Sequence, residues 1–134
     1  MHSQISILYP FDGIIISVDS GMQEILTSFW SIGIETFSSC ENNKGLMSIT
    51  FELDEYLKFL RLINSYGLDA MDSKYFDICC RIRGQTQPCS ILDAWRIMIN
   101  AVGIPTINIR FQEEDYVPIL NLIKEIRSTR SLCV

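Results

Sequence analysis

Three arginines stand where this chain could hold an anion. Arg81 and Arg83 alternate on a stretch that reads as a strand, and the loop Gly84-Gln85-Thr86-Gln87-Pro88 follows, before Ser90 and Asp93 open a helix. Two guanidinium groups on one strand face, a glycine that lets backbone N–H groups converge, and a helix start with free donors together make a phosphate-binding arrangement. Gln85 and Thr86 are candidate ligand contacts in the same loop. Neither of the glycine-rich nucleotide patterns occurs, so this is not a standard nucleotide loop. The same residues also suit a solvated strand face followed by an ordinary capped helix. Arg110 can join the arginine face, with Phe111 or Phe37 offering an aromatic surface for a base. Equally, Arg110 beside Asp115 makes a surface ion pair worth well under ~1 kcal/mol. A second candidate is Ser38 to Gly45, where Glu41, Asn43 and Lys44 can hydrogen-bond a polar ligand from a hairpin tip, although turns favour Asn and Gly on conformational grounds alone.

Several reaction classes lack their residues. The chain has one histidine, His2, which removes most Ser-His-Asp and Cys-His catalysis. Its five cysteines are odd in number, show no framework spacing and include the vicinal pair Cys79-Cys80, so thiols are expected rather than disulfides. A zinc site would need four of them from scattered elements, and small buried hydrophobes are the simpler reading. Cys40 has no neighbouring base. The expectation is a non-enzymatic protein without cofactor or metal.

Charge and hydropathy narrow the partners. A net charge of −5 and a pI near 4.7 argue against duplex nucleic acid, whose binding depends on many Lys and Arg contacts. Glu113, Glu114 and Asp115, with Glu52, Asp54 and Glu55, could present a surface to a basic partner; capping of two helices explains the same acids. The chain is 48% hydrophobic with mean hydropathy +0.20, yet no uncharged run approaches the ~20 residues of a membrane span. The apolar start, Ile5 to Val18, is broken by Pro10, Asp12 and Gly13 and lacks a basic leader, so the expected location is cytoplasmic and off the membrane.

The elements that must position these residues come in two related halves. Ile49 to Ile63 matches Ile109 to Ile123, sixty residues later, with Ile49/Ile109, Phe51/Phe111, Tyr56/Tyr116, Leu60/Leu120, Leu62/Leu122 and Ile63/Ile123 identical. Each copy reads as a strand, an acidic helix start and an amphipathic helix. Earlier in each half, Ser20/Ser90, Gly33/Gly103, Ile34/Ile104 and Thr36/Thr106 correspond seventy residues apart.

The first half reads as a strand at Gly13–Val18, a helix opened by a Ser20/Gln23 capping box and closed by Gly33, a hairpin of Ile34–Cys40 with Leu46–Leu53, and a helix from Asp54 to about Ser65. The second reads as a strand at Tyr75–Arg83, a helix from Ser90 to Gly103, a strand carrying Arg110, and a helix with Asp115 as N-cap, Pro118 in its first turn and a frayed tail at Ser131–Val134. The predicted fold is α+β in a single domain spanning 1–134. Its βαβα pseudo-repeats cover about 12–65 and 75–127, the first with an inserted hairpin. They would form one continuous ferredoxin-like sheet with helices mainly on one face. Such a fold would readily form a homodimer or higher homo-oligomer.

The stretch Val18 to Glu41, with its run Trp30-Ser31-Ile32-Gly33-Ile34-Glu35-Thr36-Phe37-Ser38-Ser39-Cys40-Glu41, resembles the Thoeris anti-defence family. Those are phage proteins that sequester cyclic ADP-ribose-type signals without cleaving them. The resemblance implies a counter-defence sponge in the host cytoplasm. Chemistry then asks for cations at the pyrophosphate, which Arg81, Arg83 and Arg110 can supply, and for an aromatic at the base, which Phe37 or Phe111 can supply. The alternative is an acidic inhibitor or immunity protein that neutralises a basic partner.

Overall fold

The structure, a computed structural model, describes residues 3–41, 46–83, 96–99 and 103–132. Strands β1 (Gln4–Tyr9) and β2 (Ile14–Asp19) form an antiparallel hairpin. A short 3-10 turn leads into α1 (Gln23–Ser31), followed by β3 (Ser38–Glu41), β4 (Leu46–Glu52) and α2 (Leu53–Ser65). Then come α3 (Phe76–Ile82), β5 (Arg96–Ile99), β6 (Pro105–Gln112), a second 3-10 turn at Glu113–Asp115 and α4 (Tyr116–Leu132). Among the described residues the fold is α+β, with two small antiparallel sheets: the β1–β2 pair and a four-stranded sheet of order β3-β4-β6-β5. No described helix is long and apolar enough to cross a membrane.

At the centre of the larger sheet, the strands of the two similar stretches lie against each other. β4 pairs with β6 so that Ile49 stands directly opposite Ile109, its counterpart in the repeat. Period-two alternation then puts Met47, Ile49 and Phe51 on one face with Ile107, Ile109 and Phe111, all of them buried. Phe59 and Ile63 of α2, and Ile119, Leu122, Ile123 and Ile126 of α4, join these six in one core. Helix α1 contributes Phe29, whose ring lies 5.2 Å from that of Phe51 and 5.0 Å from that of Phe59, both edge-on.

Two helix ends are closed by glycine. At α1, Gly33 (φ 81°) donates to Trp30 O at 3.0 Å and Ile34 donates to Phe29 O at 3.1 Å. At α2, Gly67 (φ 67°) donates to Asn64 O at 3.0 Å and Leu68 to Ile63 O at 3.1 Å. Both are Schellman closures, in which only glycine adopts positive φ without strain. Leu68, the residue after the glycine, is buried beside Ile63 in the core.

The structure corrects the sequence reading in several places. Tyr75–Arg83 is not a strand: α3 buries Ile78, Cys79 and Ile82, a helical spacing, with Asp77 in its first turn and Arg81 in its last. A nine-residue stretch with six apolar residues fits either period, and tertiary contacts decided it. Arg96–Ile99, expected inside a helix ending at Gly103, is strand β5, paired along the edge of β6; the remainder of that predicted helix up to 102 lies outside the described residues. β2 pairs with β1 rather than joining a continuous sheet. Ser20 forms no capping box, and its hydroxyl bonds that of Ser3 at 2.8 Å. Helix α4 keeps Pro118 in its first turn and extends to Leu132, beyond the expected frayed start.

Phe59 supports both α1 and the sheet, so its truncation tests this core. Phe59→Ala is expected to cost about 3–5 kcal/mol, read as a lower urea midpoint with an unchanged slope.

Candidate functional site

Helix α3 is short, and its place is set by polar bonds along its C-terminal half. The Tyr56 hydroxyl, rising from α2, donates to Ile82 O at 2.8 Å. Arg83 meets Asp69 at 2.7 Å, and the Cys79 thiol points at Leu68 O, 3.6 Å away. Burial works to raise the Asp69 carboxyl, but hydrogen bonds from Asn64 and Arg83, with the Arg83 charge, hold it below the usual carboxylate range. On the other side, Arg81 reaches Asp115 at 3.1 Å, tying α3 to the start of α4.

The groove left between α3 and α4 has a volume of about 600 Å³. Lys74, Tyr75, Asp77, Ile78 and Arg81 line one wall; Pro118, Asn121, Lys124, Glu125 and Ser128, one face of α4, line the other. Lys74 Nζ sits 5.3 Å from the Tyr75 ring centroid, a cation–π contact. Lys124 pairs with Glu24 at 3.7 Å, but both side chains are well exposed and the pair holds the lysine weakly.

Two other clefts carry the opposite charge. One of about 750 Å³ lies where the start of α1 meets β3 and the start of α4, and includes Glu24, Glu41 and Glu113. There the Glu41 carboxylate lies over Gly21, where any Cβ would displace it, and the Glu41 N–H donates to Asp19 Oδ2 at 2.9 Å. The other, about 220 Å³, is lined by Tyr9, Glu35, Thr36, Phe37, Glu52 and Glu55. The α3–α4 groove sets three cations against two carboxylates, whereas each of these sets three carboxylates against none.

Of the predicted site residues, Arg81 and Asp115 meet, and the other described ones are dispersed. Arg81 and Arg83 lie on or at the end of α3, each against a carboxylate. Arg110 alternates with the buried Phe111 and so points to the sheet face away from α2 and α4, where its Nε donates to Asn108 Oδ1 at 3.1 Å. Asn108 in turn donates to Thr50 Oγ1 at 2.8 Å. A single arginine face is therefore not formed. Phe111 is core and unavailable for stacking. Asp115 serves Arg81 rather than pairing with Arg110. Phe37 is 55% exposed and belongs to the small acidic cleft, and Glu41 to the larger one. Gln85, Thr86, Asn43 and Lys44 lie outside the described residues.

Sequence reasoning missed Lys74, Tyr75, Asn121 and Lys124. Their signal was present once α3 is taken as a helix: Tyr75, Ile78 and Arg81 recur at three-residue spacing, and Asn121, Lys124, Glu125 and Ser128 form a polar stripe on α4. Cys79 is packed in the core, where burial pushes its thiol up to about 11, away from the thiolate form at neutral pH. The Trp30–Thr36 segment is structural: Trp30 Nε1 donates to Thr36 Oγ1 at 3.0 Å, bracing the turn after α1.

Tyr56 anchors the groove wall, and Tyr56→Phe is expected to cost about 1–2 kcal/mol at neutral pH. Burial raises this phenol to about 12 from an ordinary 10, so its contribution is complete below pH 10 and lost as pH climbs through 12. Denaturant titrations should show the gap between wild type and variant closing over that window. The reading of this groove stands on its geometry, since no family model, curated protein or solved structure matches the chain.

Proposed function

We propose that this protein binds a phosphate-bearing cyclic nucleotide of the cyclic ADP-ribose type in the α3–α4 groove and holds it unchanged. The observation that carries the reading is the charge contrast: in a chain of net charge −5, this groove alone among the three described above has more cations than carboxylates. Its volume of about 600 Å³ lies within the ~300–1,000 Å³ of small-molecule sites. Lys74 and Lys124 offer ammonium groups for phosphate oxygens, Tyr75 an aromatic surface, and Asn121 and Ser128 neutral hydrogen bonds. Arg81, held by Asp115, is the preorganised charge between them.

The reading accords with the resemblance of Trp30–Glu41 to phage anti-defence sponges and extends to a counter-defence role in the host cytoplasm. We further read the facing Ile49 and Ile109 strands, each followed by a helix, as an internal duplication on a ferredoxin-like plan, and a homodimer as the assembly that would close the groove.

Cyclic ADP-ribose added at a hundredfold excess over its Kd should stabilise the protein by about 2.7 kcal/mol, read as a raised Tm. Lys74→Ala should weaken binding roughly tenfold, the loss of one charge-assisted bond. Ligand recovered intact after heat denaturation supports sequestration. An altered product would make the protein an enzyme, and an unmoved Tm would end the nucleotide reading.

A further inference from the structure

The β1–β2 hairpin overhangs the body of the protein. Ile5, Ile7 and Tyr9 share its inner face with Val18, Ile16 and Ile14, their cross-strand partners. Val18, at the root, is 7% exposed; Ile14, on the same face at the tip, is 58% exposed. A strand face that begins in the core thus runs out past it. Phe11 lies beside this tip, its ring 5.2 Å from that of Tyr9. Tyr9 then carries the apolar surface into the small cleft it shares with Phe37, which is also exposed.

The position of Tyr9 is fixed. Its ring packs edge-on against Trp30 at 5.1 Å, and its hydroxyl donates toward Thr36 O at 3.3 Å and Glu35 Oε1 at 3.4 Å. Glu55 is fixed as well, accepting the Glu35 N–H at 2.7 Å and meeting Lys58 at 3.1 Å. The result is a carboxylate-lined cleft between Tyr9 and Phe37, with Phe11 and Ile14 against Tyr9 extending its apolar edge as a lip. Exposed apolar surface contiguous over several large side chains marks an interaction site.

We propose that this lip is the docking site for a basic partner protein, which lays apolar residues on Phe11, Ile14 and Phe37 and inserts an arginine or lysine side chain between Tyr9 and Phe37. Charge complementarity selects this occupant. Glu35, Glu52 and Glu55 surround the cleft with no cation among its lining residues, so an inserted guanidinium or ammonium meets carboxylates and ring faces together. At about 220 Å³ the cleft is below the ~300 Å³ at which small-molecule sites begin, and suits one side chain. A second copy of this chain seated symmetrically on this lip is disfavoured, because the contact would set Glu35, Glu52 and Glu55 of one copy against the same carboxylates of the other. This surface is separate from the α3–α4 groove and does not depend on its ligand.

The test uses the full chain, labelled with ¹⁵N, and an acetylated, amidated hexapeptide alternating leucine and arginine. Amide shifts should concentrate at Tyr9–Ile15, Glu35–Phe37 and Glu52–Glu55, and the affinity should fall with added salt. Phe37→Ser and Glu52→Gln, both at exposed side chains, should each weaken binding roughly fivefold; Ile14→Ser serves if either disturbs the fold. Peptides with glutamate for arginine, or serine for leucine, should not bind. Absent shifts, shifts elsewhere, or equal binding of the glutamate peptide would overturn the proposal. So would a homodimer in sedimentation that Phe37→Ser dissolves, which would assign the lip to a second copy.

Discussion

Everything in this molecule hangs on the antiparallel contact of β4 with β6. Each strand presents alternate large apolar residues, and pairing Ile49 with Ile109 brings both apolar sets to one side. Burying that side requires helices, and each strand is followed directly by one whose apolar face can turn back onto it. The opposite face of the same pair is polar, with Thr50, Asn108 and Arg110 linked by hydrogen bonds. A one-residue slip would exchange the two faces, so burial fixes the register strongly.

Once that core is set, α3 is the element that forms one wall of the α3–α4 groove. Seven residues are too few to be a stable helix alone. It exists because Tyr56 satisfies the Ile82 carbonyl at its C-terminal end, while Asp69 and Asp115 hold arginines at its end and on its flank. Those bonds also explain why Arg81 and Arg83 do not form one phosphate-facing surface. As a strand, the stretch would have presented both on one side; as a helix end, it turns them toward different carboxylates. The groove gains its excess of positive charge from Lys74 and Lys124, which line it together with Arg81.

The acidity of the chain is likewise distributed by the fold. Glu52 and Glu55 face the Tyr9–Phe37 cleft, whereas Glu113 faces the cleft beside Gly21. What reads as one acidic group near two helix starts is two surfaces with different neighbours. Asp54 and Glu55 do keep the expected place in the first turn of α2, where the helix dipole favours them.

The sequence by itself determined the elements whose signals are local and long. The α1 helix with its Gly33 closure, the β3–β4 hairpin, α2 with its acidic start and α4 with Pro118 in its first turn were all legible, because periodicity and caps act within a few residues. The sixty-residue repeat also pointed to two equivalent strand–helix units. Only the tertiary structure decided that their strands would be neighbours and antiparallel, that Tyr75–Arg83 would coil, and that Arg96–Ile99 would extend along β6. β1 was missed although Ile5, Ile7 and Tyr9 alternate, since a lone hairpin strand gains stability only from what it packs on. Short apolar stretches carry too little periodic information to choose a backbone, and the choice passes to distant partners. The candidate site, built from those stretches, was for that reason the least legible part of the chain.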